Sequence, residues 1–328
     1  MFRYNRATTE KEFIIKSSVI SIKSDGDVPL LDPRKETLNT DSTLSSESSH
    51  PSRVCDLELR FDLDIKEYHS LPHVSSSRER DYQRSKELYY GRYVSGHIPP
   101  FASASTSIGD DAHTALETRG LKHLVRAPSS KLTATGRVGK EAKEWAEQEG
   151  VEGRLVSETY YEQIASIWNA VQSCDEAMEY ANQALHQEVS YIFKVGGLAC
   201  RSRADIECES GLFVDLKTTS CGNIDRDFAK SVHEFGYGRQ QAFYELAQEA
   251  REDGREIGMV FIVVQTVIPY QCRVLTLPRE YVDLCKESVL TNLLEIEMHN
   301  TLGWNLKPAQ AQRELNLPAW MYGALKNE

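Results

Sequence analysis

The clearest patterning lies in the second half of the chain. Residues 257–267, IGMVFIVVQTV, form a continuous apolar run, as expected of a strand covered on both faces. Upstream, EVSYIFKV (Glu188–Val195) and LACRSRADIE (Leu198–Glu207) flank Gly196-Gly197, which predicts a hairpin. CESG predicts another turn, and LFVDLKTT (Leu212–Thr219) the strand after it. QCRVLTLP from Gln271 predicts a further strand, and helical spacing covers Asp227 to about Glu252 and Arg279–Asn300. In the first half, Cys55–Ile65 alternates well enough for an edge strand. Helices are expected over Ser75–Gly96 behind a serine cap, over Ser103–Gly120 and over Gly139–Glu149. Another is expected over Tyr160–Ala184, with Ile164, Ile167, Trp168 and Val171 on one face. Helices, three strands, a helix, two strands and a helix predict an α/β fold, a mixed central sheet flanked by helices.

The N-terminal residues have a different character. Ser18–Ser24 could form a short strand, but Glu36–Ser52 is rich in Ser and Thr and almost free of large apolar groups. Residues 1–53 are therefore expected to be a variable, partly disordered segment. Residues 54–328 are expected to form one domain, helical over about 70–185 with a catalytic core over about 186–300.

Composition narrows the class. With 40% hydrophobic and 27% charged residues, the 328-residue chain reads as an ordinary globular protein. No apolar run approaches the roughly 20 residues that span a bilayer, and the N-terminus has no signal-type apolar stretch, so an intracellular, cytoplasmic protein is expected. Seven cysteines without a CxxC pair argue against a disulfide framework, a zinc site or an iron–sulfur cluster. The net charge of −11 argues mildly against a nucleic-acid partner. Charge is local, however, and residues 119–143 carry seven Lys and Arg against one acid, Glu141.

Candidate chemistry centres on Asp215 and Lys217. Two residues apart on a strand, they share one face. Burying such charges is costly unless they are paired or bind a metal. Asp205 lies ten residues earlier, on the preceding strand, where the CESG turn can bring it beside Asp215. Adjacent carboxylates resist joint ionisation. A hard cation such as Mg²⁺ removes that conflict, and a lysine beside it can orient or help deprotonate an attacking water. His233, Tyr237, Gln240 and Tyr244 follow at steps of four, three and four, which predicts one helical face turned to this strand.

R-x-D(205), then D(215)-L-K(217)-T-T, then G-Y-x-x-Q(240)-x-A-F-Y(244) resembles the PD-(D/E)xK nuclease superfamily. It is most similar to the RecE-type branch, exonuclease VIII, related to the RecB nuclease domain and lambda-type exonuclease. The upstream half is a looser match: a serine-led helix with Tyr89-Tyr90, then IPP, then Gly109-x-x-x-His113. The resemblance implies that Asp205, Asp215, His113 and the Leu216 carbonyl ligate the metal and that Lys217 positions the water. It implies that Glu188 helps hold a second metal or its waters, and that Gln240 and Tyr244 steady the lysine and the scissile phosphate. It also implies Mg²⁺, with Mn²⁺ as the substitute ion, 5′ to 3′ digestion of linear double-stranded DNA, a homo-oligomer, and a single-strand annealing recombinase as partner. The second acid is Asp rather than the Glu of many members, and Glu207 is a spare acid two residues after Asp205.

The DNA track is expected among Arg201, Arg203, Lys131, Arg137 and Lys140. An endonuclease or single-strand exonuclease of the same fold stays open, because fold does not fix substrate or polarity. A non-catalytic DNA-binding protein is the reading from another class, disfavoured by the presence of Asp205, Asp215 and Lys217 together. No GxxxxGK[ST] or GxGxxG loop supports a nucleotide-dependent metabolic enzyme.

Overall fold

The computed structural model describes residues 54–61, 63–99 and 107–306. The expected strand at Ser18–Ser24 and the Ser/Thr-rich stretch lie outside the described residues. In chain order the elements are β1 (Val54–Arg60), α1 (Ile65–Ser70), α2 (Ser76–Arg84), α3 (Lys86–Tyr89), α4 (Ser107–Thr118), β2 (Leu124–Arg126), α5 (Lys140–Glu149), β3 (Arg154–Val156), α6 (Glu158–Gln172) and α7 (Asp175–Asn182). There follow β4 (Ala184–Gln187), β5 (Ser190–Val195), β6 (Leu198–Arg203), β7 (Ile206–Cys208), β8 (Phe213–Thr219), α8 (Ile224–Phe235), α9 (Tyr237–Glu249), β9 (Met259–Gln265), β10 (Cys272–Leu275) and α10 (Arg279–Leu302).

The central sheet has the order β10-β9-β8-β7-β4 and is mixed, as the pattern predicts. β8 and β9 run parallel, joined by the α8–α9 crossover, while β7–β8, β9–β10 and β4–β7 are antiparallel. A second sheet, β1-β5-β6, places β1 on an edge, and β2 pairs with β3 in parallel. Among the described residues no helix is long and apolar enough to cross a membrane.

Side-chain alternation divides the core. Phe213, Phe261 and Val263 pack with Phe243 and Leu246 of α9, Leu293 of α10 and Tyr191 of β5. Their neighbours Val214, Leu216, Ile262 and Val264 pack with Ala112 and Ala115 of α4 and Ile164 and Ile167 of α6. All seven residues of β9 are buried, which accounts for its unbroken apolar run. Each such large side chain contributes about 1.5–3 kcal/mol by leaving water.

Four expected elements are subdivided. The helix begun by the Ser75 cap stops at Arg84, Ser85 caps a new one by accepting from Leu88 N, and a π turn over Tyr90–Val94 closes it. The helix expected over Tyr160–Ala184 is α6 and α7, and Ala184 opens β4. Leu198–Glu207 is not one strand, because the chain breaks between β6 and β7 at Ala204-Asp205. The helix expected from Asp227 to Glu252 breaks at Gly236, whose φ of 69° caps α8 in the left-handed region that glycine adopts without a Cβ penalty.

Candidate active site

The site forms where β7 and β8 part. Their ladder pairs Ile206 with Val214 and Glu207 with Phe213, and it stops one residue short of Asp205 and Asp215. The Asp205 side chain continues the contact: its Oδ2 accepts from the Leu216 backbone N at 2.7 Å. In a strand, the N–H and C=O of one residue point to the same neighbour. The Leu216 carbonyl therefore faces the Asp205 side, while its side chain is buried against the α4–α6 face.

Asp215 and Lys217 point to the face that carries α9. Lys217 Nζ lies 2.5 Å from Asp215 Oδ2 and 4.8 Å from the centre of the Tyr237 ring, a cation–π distance. Gln240 Nε2 donates to Asp215 Oδ1 at 2.7 Å. From the other side of the sheet, α4 brings His113 Nδ1 to 3.0 Å from Asp205 Oδ2. At Gly109, one turn earlier, an added Cβ would lie 3.6 Å from Thr218 Oγ1, so α4 approaches β8 closely there.

The charges interlock. Burial works against a charged Lys217, but Asp215 and Asp205 outweigh it and hold its pKa above the ordinary value. Burial also works against a charged His113, and Asp205 overcomes it, pushing the imidazole up to about 9. Burial raises Asp205 less than His113 and Lys217 lower it, so its carboxyl stays below the usual range. Asp215 is pushed upward by burial, against the pull of Lys217.

Glu188 sits at the junction of β4 and β5 with φ 51°, a left-handed conformation uncommon for a non-glycine residue. Its backbone N donates to the Asp205 carbonyl at 3.1 Å. Burial, reinforced by Asp205, pushes its carboxyl up to about 7. Tyr244 stands further back: its hydroxyl donates to the Arg203 carbonyl at 2.8 Å and steadies the end of β6 just before Asp205.

Two carboxylates and a backbone carbonyl are hard oxygen donors that suit Mg²⁺ or Mn²⁺, with an imidazole as a borderline fourth donor. Asp215 Oδ2 is buried and met by the Lys217 ammonium, a counter-charge in the place a cation would take. Among the described residues, no three His, Cys, Asp or Glu side chains already surround a metal position. The acids are held instead by His113 and Lys217, so a cation would enter by displacing the Lys217 ammonium from Asp215 and the proton between His113 and Asp205, which frees the imidazole Nδ1 to ligate.

Several sequence expectations change. His233 is exposed on α8, beyond the Gly236 break, and does not share the face of Tyr237, Gln240 and Tyr244. Arg201 is only 3% exposed; its guanidinium donates to the carbonyls of Leu71 and His69 and lies 4.5 Å from the centre of the Tyr68 ring. It clamps α1 from inside and presents no free cation to DNA. Arg203 is half-buried and donates to Ser190 Oγ and the Leu63 carbonyl. Glu207, the spare acid, is fully buried in an ion-pair network with Arg251 and Arg255. Lys131 and Arg137 make no ion pair among the described residues, and exposed Lys140 pairs with Glu144 at 3.5 Å. Sequence reasoning misses Ser76, Ser77 and Arg80 of α2, which line a 220 Å³ cavity with Lys217 and Gln240. Their signal in the sequence, a serine cluster before an arginine, marks no more than a helix start.

Residues 76–303 match the model of a family described as a PDDEXK-like domain of unknown function, DUF3799. A crystal structure from Eubacterium rectale, provisionally described as an exonuclease, superposes with a TM-score of 0.52 at 14% identity, covering 81% of this chain and 98% of that one. At that identity the likeness shows the fold. No curated protein matches the chain.

Proposed function

Since the chain belongs to the PDDEXK-like family DUF3799, with a PD-(D/E)xK core, we propose that it is a divalent-metal-dependent deoxyribonuclease. One observation carries the reading: Asp205, Asp215 and Lys217 converge at the open end of the β7–β8 ladder, with Gln240 and His113 closing on them from opposite faces of the sheet. A static ion pair needs neither the second carboxylate nor the histidine.

The reaction adds water across a phosphodiester. The water oxygen bonds to phosphorus, the bond to the 3′ oxygen breaks, and that oxygen takes a proton. Asp205, Asp215, His113 and the Leu216 carbonyl would hold Mg²⁺, or Mn²⁺ in its place. When bound, the cation supplies positive charge where phosphoryl charge develops. Beside the two carboxylates Lys217 is held as an ammonium, which suits it to orient the water and stabilise charge. Gln240 fixes the rotamer of Asp215. Glu188, poised near neutrality, is suited to hold a proton or a second cation's waters. Tyr244 acts as a positioning residue through the Arg203 carbonyl.

The resemblance to RecE-type enzymes supports the finer reading. Linear double-stranded DNA is digested from the 5′ end by a homo-oligomer, during recombination or end resection, beside an annealing protein. Lys131, Arg137 and Lys140 remain candidate outer DNA contacts. The test uses linear duplex labelled separately at each 5′ and 3′ end, beside a covalently closed circle, with Mg²⁺, with EDTA, and with Lys217→Ala. Expected are Mg²⁺-dependent loss of the linear DNA alone, release of the 5′ label first, and no loss with Lys217→Ala. Cutting of the circle would show an endonuclease. No cutting of any DNA by folded protein would refute the nuclease reading.

A further inference from the structure

Beside Lys217, the surface continues as a groove along α2. The cavity holding Lys217, Tyr237 and Gln240 is walled by Ser76, Ser77 and Arg80. A second cavity of 430 Å³ shares Ser77 and Arg80 and extends to Arg84 and Arg92. Ser77, Arg80 and Arg84 follow at steps of three and four, so they form one face of the helix. We propose that this face is a nucleic-acid strand track, in which Arg80 and Arg84 bind backbone phosphodiesters next to the one that Lys217 faces. The proposal rests on the nuclease reading above and adds where the strand lies.

Three features favour phosphates as the occupant. The first is charge. Asp81, the acid in the wall, is buried and already engaged by Arg92 at 2.8 Å and the Tyr93 hydroxyl at 2.7 Å. Arg84 is exposed and makes no ion pair among the described residues, and Arg80 pairs with no acid there. The groove is therefore locally positive in a chain of net charge −11. The second is preorganisation. Arg80 Nη1 donates to the Phe235 carbonyl at 2.7 Å, while its buried Nε has no acceptor. Its side chain runs past Gly236, where an added Cβ would lie 3.4 Å from Arg80 Cδ. A guanidinium fixed in this way matches phosphate oxygens through its planar fork. The third is rigidity. On the opposite face of α2, buried Glu79 binds Arg239 of α9 and, at 2.6 Å, Asn292 Nδ2 of α10, locking the helix to the one that carries Gln240. From Ser77 to Arg84 the helix rises about 10 Å, comparable with the rise of roughly three base pairs along a duplex axis at ~3.4 Å each.

The experiment measures binding without cleavage. A fluorescent duplex is titrated in EDTA with the wild-type chain, Arg84→Glu, Arg80→Gln and the double variant, over a series of salt concentrations, on 5′-phosphoryl and 5′-hydroxyl ends. Arg84 pairs with no acid among the described residues, so Arg84→Glu is expected to fold, with far-UV circular dichroism as the check. Expected is weakening of roughly tenfold or more for Arg84→Glu, with the slope of log K against log salt falling by about 0.7–0.9 for each phosphate no longer neutralised. The weakening should be equal on both kinds of end. Unchanged affinity and slope in all variants would overturn the track. Weakening confined to 5′-phosphoryl ends would replace backbone phosphates with a terminal one and overturn the assignment. A wild-type chain that neither binds nor cuts DNA refutes the nuclease reading itself, whereas one that binds and cuts while the groove variants behave like it refutes only the track.

Discussion

Two buried acids of one strand pair, Glu207 and Asp215, meet opposite fates. Glu207 is fully buried and its oxygens are occupied: Oε1 by Arg251 at 2.8 Å and Arg255 at 2.9 Å, Oε2 by the Tyr191 hydroxyl. Glu79, between α2, α9 and α10, is enclosed in the same way by Arg239 and Asn292. These acids bind elements together. Asp215 is met by Gln240 on Oδ1 and, on Oδ2, by a lysine that Tyr237 also holds, and it has a second carboxylate beside it. The lesson is that burial of a charge does not mark a site. A site is marked by two buried carboxylates that share their counter-charges, at a place where the ladder ends.

That contrast can be broken by mutation. Lys217→Ala is expected to lower activity by ~10²–10⁴-fold, through loss of the group that positions the water, with a smaller effect on stability. Glu207→Gln should do the reverse. It strips the charge facing Arg251, which is only 2% exposed, and should cost about 3–5 kcal/mol in chemical denaturation while activity per folded molecule is kept. Equal activity losses in the two variants would erase the distinction.

His113 sharpens it through pH. Its folded pKa, about 9, lies above its ordinary 6.5. Its contribution to stability in EDTA is then fully present below about 6.5 and is lost as pH rises through about 9. The stability gap between the wild-type chain and His113→Gln should close over that window; a gap that is constant with pH would show that His113 and Asp205 do not form an ion pair. The smallest effect is expected from Gln240→Met, which removes one hydrogen bond to Asp215 and should lower activity by about tenfold, near 1.4 kcal/mol.

Much of this arrangement is legible in the sequence, for a physical reason. Strand side chains alternate, so Asp215 and Lys217 have to share a face, and the two-glycine and CESG turns set the order of β5 to β8. Periodicity does not reveal the break at Gly236, because His233 and Tyr237 keep helical spacing across it. Arg201 is misread from sequence because its partners, the carbonyls of Leu71 and His69, lie some 130 residues away along the chain. The left-handed backbone of Glu188 carries no local signal, and β2, β3 and β4 are too short for alternation to show. The groove along α2 emerges only once Glu79 has turned Ser77, Arg80 and Arg84 toward Lys217.

The central claim is that Asp205 and Asp215 are held by His113 and Lys217 in a form that opens to a divalent cation. Anomalous diffraction from crystals soaked in Mn²⁺ tests it directly. The account predicts a peak within coordination distance, ~2.0–2.2 Å, of carboxylate oxygens from both residues, with the Lys217 ammonium moved off Asp215, and no peak in Asp205→Asn. Manganese bound elsewhere, or bound unchanged in Asp205→Asn, would contradict it.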